Sequence, residues 1–313
     1  MAVVTRPAKH PDDPLEQDYC VTRELLGCGA DGGVVRGVLR KTGEWHALKF
    51  VSRGGYHGDD PGHEVEMLQQ FDHPNIVRVL NSFPSCRQRP NFVMCMPEAD
   101  CDLADFIGRS ICGGRTRMTP DIVQDLMVQL LRAGHAVHSK GMIHRDIKPA
   151  NILLSFTSNP TTAPCHTAGG LRAQLWLSDF SRARVVRTRR VSSKRPRMKA
   201  TLSTRVGTYV YAAPELTWEQ GPYDQTADIW SIGAVFFELL TQERMIPNSH
   251  TDRILTALTR RLGDCPAELT HLAPANKHEP EDNCGLKPLQ QYVLEDLAMP
   301  VESAVAIVKQ ALQ

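Results

Sequence analysis

The residues most suited to chemistry lie in HRDIKPAN, residues 144–151, which brings Asp146, Lys148 and Asn151 close together in the chain. A carboxylate can accept the proton of an attacking hydroxyl, an ammonium can neutralise an anion, and an amide oxygen can bind a hard cation. A further carboxylate, Asp179, follows an apolar run later in the chain. These residue types at this spacing make HRDIKPAN the strongest single signal of a functional site in the sequence.

Lys49 is a further candidate because it lies in an apolar run, between Leu48 and Phe50. An ammonium group is costly to bury without an anionic partner. The helix predicted over residues 63–71 offers two such partners, Glu64 and Glu66. A lysine–glutamate pair of this kind can also hold a second anion, such as a nucleotide phosphate.

Three glycines, Gly27, Gly29 and Gly32, have the spacing of a turn whose bare backbone amides can approach a phosphate. The spacing alone also fits a dinucleotide-binding turn or a purely structural turn. The following residues distinguish these alternatives, because residues 34–39 continue as a strand and residues 45–50 form another. We therefore predict a glycine-rich hairpin that covers a nucleotide.

The elements that must position these residues occur in a fixed order along the chain, marked by GCGADGGV, HALK, HRDIKPAN, SDFS, YAAPE and ADIWSIG. A chance match to HRDIKPAN alone is on the order of one in 100,000. From about residue 19 to the C-terminus, the sequence resembles the protein kinase family. Lys148 and the motif GTYVYAAPE are similar to its serine/threonine branch.

This resemblance implies an α+β fold with two lobes. We expect a small, mostly β N-terminal lobe with one helix over about residues 19–97, and a larger, mostly α C-terminal lobe over about residues 98–313. Residues 1–18 contain three prolines without periodicity, which predicts a flexible extension. Residues 301–313 resemble the penultimate helix of the family, so the C-terminus is expected to be truncated.

The resemblance also implies catalytic roles for the residues of HRDIKPAN. Asp146 would orient the substrate hydroxyl and accept its proton, and Lys148 would steady the transferred phosphoryl group. Asn151 and Asp179 would bind Mg²⁺. Asp228, in ADIWSIG, would brace the backbone of this loop rather than take part in catalysis.

The same resemblance implies an ATP site in which Glu64, rather than Glu66, pairs with Lys49. Residues 94–99 would hold adenine through their backbone, and both Met94 and Met96 are candidates for the gatekeeper position. The expected ATP contacts are Gly27, Cys28, Gly29, Gly32, Val34, Ala47, Lys49, Met96 and Leu153.

The sequence departs from the family pattern at Ser181, where a glycine is expected after Asp179 and Phe180. We expect altered flexibility there with retained chemistry. HEVEMLQQFDHPNIV and YDQTADIWSIGAVFFELLT resemble the cyclin-dependent-kinase-like (CMGC) group, which implies a cyclin-like regulatory chain as a candidate partner. Ala212 replaces the arginine usual in that group, which argues against a requirement for proline after the acceptor.

The expected activation segment contains nine Lys or Arg residues between residues 182 and 199 and no acidic residue. Such a run is usually a solvated loop, and the alternatives are a nuclear import signal or a docking patch for acidic partners. Ser203 and Thr204 are the candidate activation phosphosites. Arg145, beside the catalytic aspartate, would pair with a phosphate on either.

The composition excludes several other classes of protein. Lys and Arg number 36 against 35 Asp and Glu, so no chain-wide charge favours nucleic acid or a membrane surface. The opening residues lack an apolar signal region, and no apolar run reaches the length of a membrane span, which predicts an intracellular location in the cytoplasm or nucleus. Nine scattered cysteines without paired spacing indicate reduced thiols rather than a disulfide framework or a zinc site.

The leading hypothesis is an active serine/threonine protein kinase that transfers the γ-phosphate of ATP to protein hydroxyls. The alternative is a pseudokinase, a scaffold that keeps the fold without phosphoryl transfer. A small-molecule kinase is disfavoured by YAAPE, which in protein kinases positions a peptide substrate.

Overall fold

The computed structural model describes residues 10–29, 32–52, 60–87, 89–111, 118–157, 172–185, 210–213 and 224–246. These residues form two groups of elements, an N-terminal group rich in strands and a C-terminal group rich in helices. The predicted activation phosphosites and the helix expected over residues 301–313 lie outside the described residues.

The N-terminal group is a five-stranded antiparallel sheet preceded by the short helix α1 (Pro14–Asp18). Its strands are β1 (Tyr19–Gly29), β2 (Gly32–Leu39), β3 (Trp45–Val51), β4 (Asn81–Phe83) and β5 (Phe92–Pro97), in the spatial order β1-β2-β3-β5-β4. Helix α2 (His63–Leu68) lies between β3 and β4 in the chain. The predicted small, mostly β part is therefore confirmed, with one helix more than expected.

Strand β5 is apolar along its length because both of its faces are buried. Met94 and Met96 contact the main hydrophobic core, whereas Val93 and Cys95 belong to a second cluster. Side chains alternate across a strand, so burial of the four consecutive residues 93–96 requires cover on both faces of the sheet. Helix α1 supplies the second cover, since its Leu15 is buried in the same cluster.

Residues 10–18 are therefore not the flexible extension that the sequence predicts. The Asp13 side chain caps α1 by accepting a hydrogen bond from the Leu15 amide. Its other oxygen lies 3.1 Å from Nε of Arg89, and both side chains are almost completely buried. The ion pair fixes the helix to the loop between β4 and β5, a contact distant in sequence that local composition does not reveal.

The C-terminal group contains α3 (Leu103–Ile111), α4 (Pro120–Ser139) and α5 (Thr226–Thr241). Thr119 caps α4, Pro120 occupies its first turn, and most of the apolar side chains of the helix are buried. Short strands complete this part: β6 (Cys101–Asp102), β7 (Met142–Ile143), β8 (Ile152–Thr157), β9 (Arg172–Leu177) and β10 (Arg184–Val185). No helix in the described ranges is long and apolar enough to cross a membrane.

The antiparallel hairpin of β8 and β9 brings two distant parts of the sequence together. Ile152 at the start of β8 pairs with Leu177 at the end of β9. Asn151, just before β8, is therefore adjacent to the residues after β9, and its carbonyl accepts a hydrogen bond of 2.9 Å from the Ser178 amide. The residues that connect the two strands lie outside the described part.

The buried Asp13–Arg89 pair gives a test of the role of α1. Replacing Asp13 with Ala leaves the Arg89 charge buried without its carboxylate, which typically costs about 3–5 kcal/mol. We expect a loss of that size in the free energy of unfolding, measured by urea denaturation. Asp12→Ala, at an exposed neighbour, is the matched control and should change it by less than about 0.5 kcal/mol. Equal stability of the two variants would contradict the role given to the pair.

Candidate functional site

Lys49 joins three separate elements through one ammonium group. From β3 its Nζ lies 2.7 Å from Oε2 of Glu64 on α2 and 3.1 Å from Oδ1 of Asp179 after β9. Glu64 is buried, whereas Glu66 is exposed, so the predicted choice of Glu64 agrees with the geometry. Leu68 on the same helix is buried in the core and holds the buried face of α2 inward.

The electrostatics of this trio favour a charged lysine. Burial opposes the charge on Lys49, but the two carboxylates outweigh it and raise the pKa of Lys49 above its ordinary value. Burial also opposes the charge on Asp179, yet Lys49 and the Ser181 hydroxyl hold the pKa of Asp179 well below its ordinary range. At Glu64 burial dominates and raises the pKa of that carboxyl. A cation and the Asp179 anion are thus maintained at neutral pH.

The loop between β7 and β8 places the remaining predicted catalytic residues around Asp146. Lys148 Nζ donates to Asp146 Oδ2 at 3.0 Å. Asn151 Nδ2 donates to the Asp146 carbonyl at 2.8 Å and to Oδ2 at 3.2 Å. Arg182 Nη1 approaches the other oxygen, Oδ1, to 3.8 Å. The loop therefore presents one carboxylate flanked by two cations, which suits charge neutralisation during a group transfer.

The oxygen atoms of Asn151 and Asp179 fit a weakly held, hard cation such as Mg²⁺. Asn151 uses its amide nitrogen to fix the loop, which leaves its Oδ1 available as a ligand. In the described ranges, no group of three or more His, Cys, Asp or Glu residues could hold a metal alone. A cation here would therefore complete its coordination with substrate phosphates and water, as Mg²⁺ usually does.

Asp228, at the start of α5, supports the backbone of the loop between β7 and β8, which is the predicted catalytic loop. It is fully buried, and it accepts hydrogen bonds of 2.8 Å from the backbone amides of both His144 and Arg145. His138 Nε2 lies 2.9 Å from Oδ2 of the same carboxylate. Arg145 has a positive φ of 70°, which is strained for a residue with a side chain. The predicted bracing role agrees with these contacts.

His144 connects the catalytic loop with the segment that carries Asp179. Its ring is completely buried, and Nε2 lies 3.0 Å from the Ser178 carbonyl oxygen. The Asp146 amide donates to Nδ1 of the same ring at 3.3 Å. The ring also packs edge-on against Phe180, with centroids 4.7 Å apart. One imidazole therefore links the positions of both functional carboxylates.

The expected adenine contacts converge on one apolar cluster. Ala47 and Met96 belong to the main core, and Val34 and Leu153 pack against it. In the register of β3 with β5, Met96 lies opposite Ala47 and Met94 lies opposite Lys49. Both methionines are buried, and Met96 is nearer to the connection between the two parts of the structure.

The glycine-rich turn is the β1–β2 hairpin that the sequence predicts. Gly27 and Gly29 lie at the end of β1, Cys28 between them is exposed, and Gly32 begins β2. Gly32 has a φ of 147°, and a Cβ there would lie 1.8 Å from the Phe50 carbonyl oxygen. A residue with a side chain cannot occupy this position without moving β3.

Sequence reasoning missed three polar contacts around the site. Ser181 donates a hydrogen bond to Asp179 Oδ1 at 2.8 Å, and Arg182 approaches Asp146. Arg36 on β2 forms an ion pair with Glu98 and lies over the Trp45 ring at 4.8 Å. Ser181 and Arg182 directly follow Asp179 and Phe180, so the available signal was two polar residues beside the predicted metal-binding aspartate. No motif or spacing in the sequence indicates that Arg36 contacts Glu98 and Trp45.

The bracing role of Asp228 predicts a large effect on stability. Asp228→Ala leaves the backbone amides of His144 and Arg145 without their acceptor, and we expect the free energy of unfolding to fall by more than about 3 kcal/mol. Asp121→Ala, at an exposed position in the first turn of α4, is the control and should stay within about 1 kcal/mol of the wild type. Chemical denaturation measures both, and a small loss for Asp228→Ala would contradict the bracing role.

Comparisons with known proteins agree with this geometry. A family model described as "Protein kinase domain" matches residues 20–295. Serine/threonine-protein kinase TIO of Arabidopsis thaliana is 33% identical over 226 residues, which cover 71% of this chain and 14% of that protein. Mitogen-activated protein kinase p38a of Drosophila melanogaster is 30% identical over 252 residues, or 78% of this chain and 60% of that protein. Cyclin-dependent kinase 20 of Danio rerio is 29% identical over 276 residues, or 86% of this chain and 71% of that protein.

The chain therefore spans less than two thirds of the length of the first two of these relatives. The match to the family model covers most of the chain and includes every residue of the site described above. The family binds ATP and typically uses Mg²⁺, which suits the donor set of Asn151 and Asp179. The chain belongs to the protein kinase family.

Proposed function

We propose that this chain is an active serine/threonine protein kinase that transfers the γ-phosphoryl group of ATP to protein hydroxyls. The observation that carries the proposal is the contact of Lys49 with both Glu64 and Asp179. Phosphoryl transfer needs positioning and charge neutralisation more than covalent help from the protein. A lysine kept charged beside a carboxylate that can bind a cation supplies both requirements for the phosphates of a nucleotide.

The proposed reaction uses the groups of the catalytic loop in a defined order. The acceptor hydroxyl gives its proton to the Asp146 carboxylate as its oxygen forms a bond to the γ-phosphorus. The bond from that phosphorus to the bridging oxygen breaks, and ADP leaves with that electron pair. Lys148, 3.0 Å from Asp146, neutralises charge on the transferred group. Asn151 and Asp179 would hold Mg²⁺, which would supply further neutralisation of charge on the phosphates.

We assign the kinase to the cyclin-dependent-kinase-like group as part of the same proposal. The long match to cyclin-dependent kinase 20 of Danio rerio and the match to a mitogen-activated protein kinase support this assignment. A cyclin-like regulatory chain is the corresponding candidate partner, and protein hydroxyls are the candidate acceptors. The intracellular location stays a prediction from the sequence.

The alternative function is a pseudokinase that binds nucleotide without transferring phosphate. Its motivation is Ser181, which replaces the glycine expected after Asp179 and Phe180. The contacts of the site weigh against it, because Ser181 donates to Asp179 rather than displacing it from Lys49. Asp146 also keeps its contacts with Lys148 and Asn151.

The substitution Asp146→Asn distinguishes the two functions. The amide cannot accept the hydroxyl proton, so we expect the rate of peptide phosphorylation to fall by at least about 100-fold. The affinity for ATP should stay within a few-fold, since Asp146 acts on the acceptor. Radiolabelled transfer to a peptide library measures the rate, and equilibrium titration with a fluorescent nucleotide measures binding.

Asp121→Asn is the matched control for that experiment, because the same carboxylate-to-amide change is made at an exposed position on α4. It should leave both measurements unchanged. A wild-type protein that binds ATP but transfers no more phosphate than Asp146→Asn would establish the pseudokinase alternative.

Control by phosphorylation of Ser203 or Thr204 is a further part of the proposal. These residues lie outside the described part, but basic groups gather where the segment begins. Arg184 Nη1 donates to the Ala183 carbonyl at 2.9 Å, and His63 Nε2 from α2 lies 2.9 Å from the same oxygen. Arg145 Nε donates to the neighbouring Arg182 carbonyl at 2.6 Å. A phosphate attracted to the guanidinium groups of Arg145 and Arg184 would connect the loop between β7 and β8 with the segment.

The double substitution Ser203→Ala and Thr204→Ala tests this control. We expect the phosphorylation rate to fall at least several-fold, because no phosphate could then pair with Arg145. The equivalent double change at Ser192 and Ser193, in the same segment, is the control and should have little effect. Mass spectrometry of the active wild type should find phosphate on Ser203 or Thr204. Equal rates for both double variants, with no phosphate on either residue, would exclude the mechanism.

A further inference from the structure

Ser181 makes a side-chain contact that a glycine at its position could not make. Its Oγ donates to Oδ1 of Asp179 at 2.8 Å, and Lys49 Nζ donates to the same oxygen at 3.1 Å. Among the described residues, the side-chain donors that contact the Asp179 carboxylate both bond to Oδ1 rather than to Oδ2. The two oxygens of one carboxylate are therefore used differently: Oδ1 receives both donors and Oδ2 is left for another ligand.

The backbone around Asp179 is already fixed by other contacts. Asp179 has a φ of 62° and a ψ of 69°, a left-handed conformation that is costly for a residue with a side chain. Phe180 is completely buried, and its ring packs against Phe71 and His144. The Ala183 amide closes the turn by donating to the Phe180 carbonyl at 3.0 Å.

With the backbone fixed, the direction of the carboxylate depends on rotation within the Asp179 side chain. Lys49 restrains it with a long, flexible side chain that also serves Glu64. Ser181 restrains the same carboxylate through the hydroxyl of a short side chain, from two residues further along the same turn. A residue that orients a metal-binding carboxylate in this way typically affects metal affinity by 10-fold or more.

We propose that Ser181 is a positioning residue for the divalent cation of the nucleotide. Its hydroxyl keeps Oδ1 of Asp179 turned toward Lys49, so that Oδ2 is presented to the cation before any ligand binds. This inference rests on the proposed function, because it assumes that Asp179 meets a metal–nucleotide complex. It gives the departure from the family glycine a positive role in place of the altered flexibility expected from the sequence.

The proposal predicts a change in cation binding that is separable from catalysis. Ser181→Ala should weaken Mn²⁺ binding to the protein loaded with a non-hydrolysable ATP analogue by about 10-fold, as measured by electron paramagnetic resonance titration. The Mg²⁺ concentration for half-maximal peptide phosphorylation should rise to a similar extent. Ser181→Thr keeps the hydroxyl and should restore both values to near those of the wild type.

Two controls separate positioning from a general loss of structure. Ser139→Ala removes an exposed serine hydroxyl from α4 and should leave cation binding unchanged. Affinity for the nucleotide without metal should be similar in the wild type and in Ser181→Ala, because the hydroxyl contacts Asp179 and not the nucleotide site directly. Thermal unfolding confirms that the compared variants are folded.

Equal Mn²⁺ affinity of the wild type and Ser181→Ala would overturn the inference, even if peptide phosphorylation is robust. A Thr variant as weak as the Ala variant would also overturn it, because the hydroxyl would then not be the cause. The proposed function is tested by a different result. A wild type that binds Mn²⁺ and nucleotide but transfers no phosphate would contradict the proposed kinase activity. The Mn²⁺ affinities of the wild type and Ser181→Ala would still decide the role of Ser181.

Discussion

The burial of the Lys49 ammonium is the constraint on which the rest of the structure depends. An unpaired charge in this position would be strongly destabilising, so the fold must bring carboxylates to it from elsewhere in the chain. Glu64 comes from α2 and Asp179 from the turn after β9, and each approaches a lysine on β3. Three elements distant in sequence are therefore held around one atom, and outward movement of α2 would remove one of the two carboxylates that stabilise the lysine.

The predicted catalytic loop is also held by a buried carboxylate from a distant element, but here the carboxylate binds backbone amides rather than a charged side chain. Asp228 accepts the amides of His144 and Arg145, which holds a strained backbone conformation that the loop would not adopt alone. The His144 ring in turn contacts the Ser178 carbonyl oxygen, so the segment that leads to Asp179 is held against the loop. Asp228 and His144 thus hold in place the loop that carries Asp146 and the segment that carries Asp179.

The sequence predicted those parts of the fold that depend on local pattern. The glycine hairpin leaves a turn signal in the sequence, and the structure contains it. Helix α4 also begins at a local signal, because Thr119 caps it and Pro120 occupies its first turn. Helix α1 was missed because its short, proline-containing sequence has no period, and its burial depends on the distant Arg89. The orientation of the Ser181 hydroxyl was missed for a related reason, since a residue type indicates a donor but not its acceptor.

Helix α1 also bears on how the protein can be handled in solution. A boundary placed at residue 20, where the match to the family model begins, would remove Leu15 and Tyr19 from the cluster that contains Leu48 and Val93. The uncovered sheet face would present a contiguous apolar patch to water, a surface that in soluble proteins promotes self-association. Shortened forms of the chain should therefore keep residues 10–18 if they are to remain monodisperse.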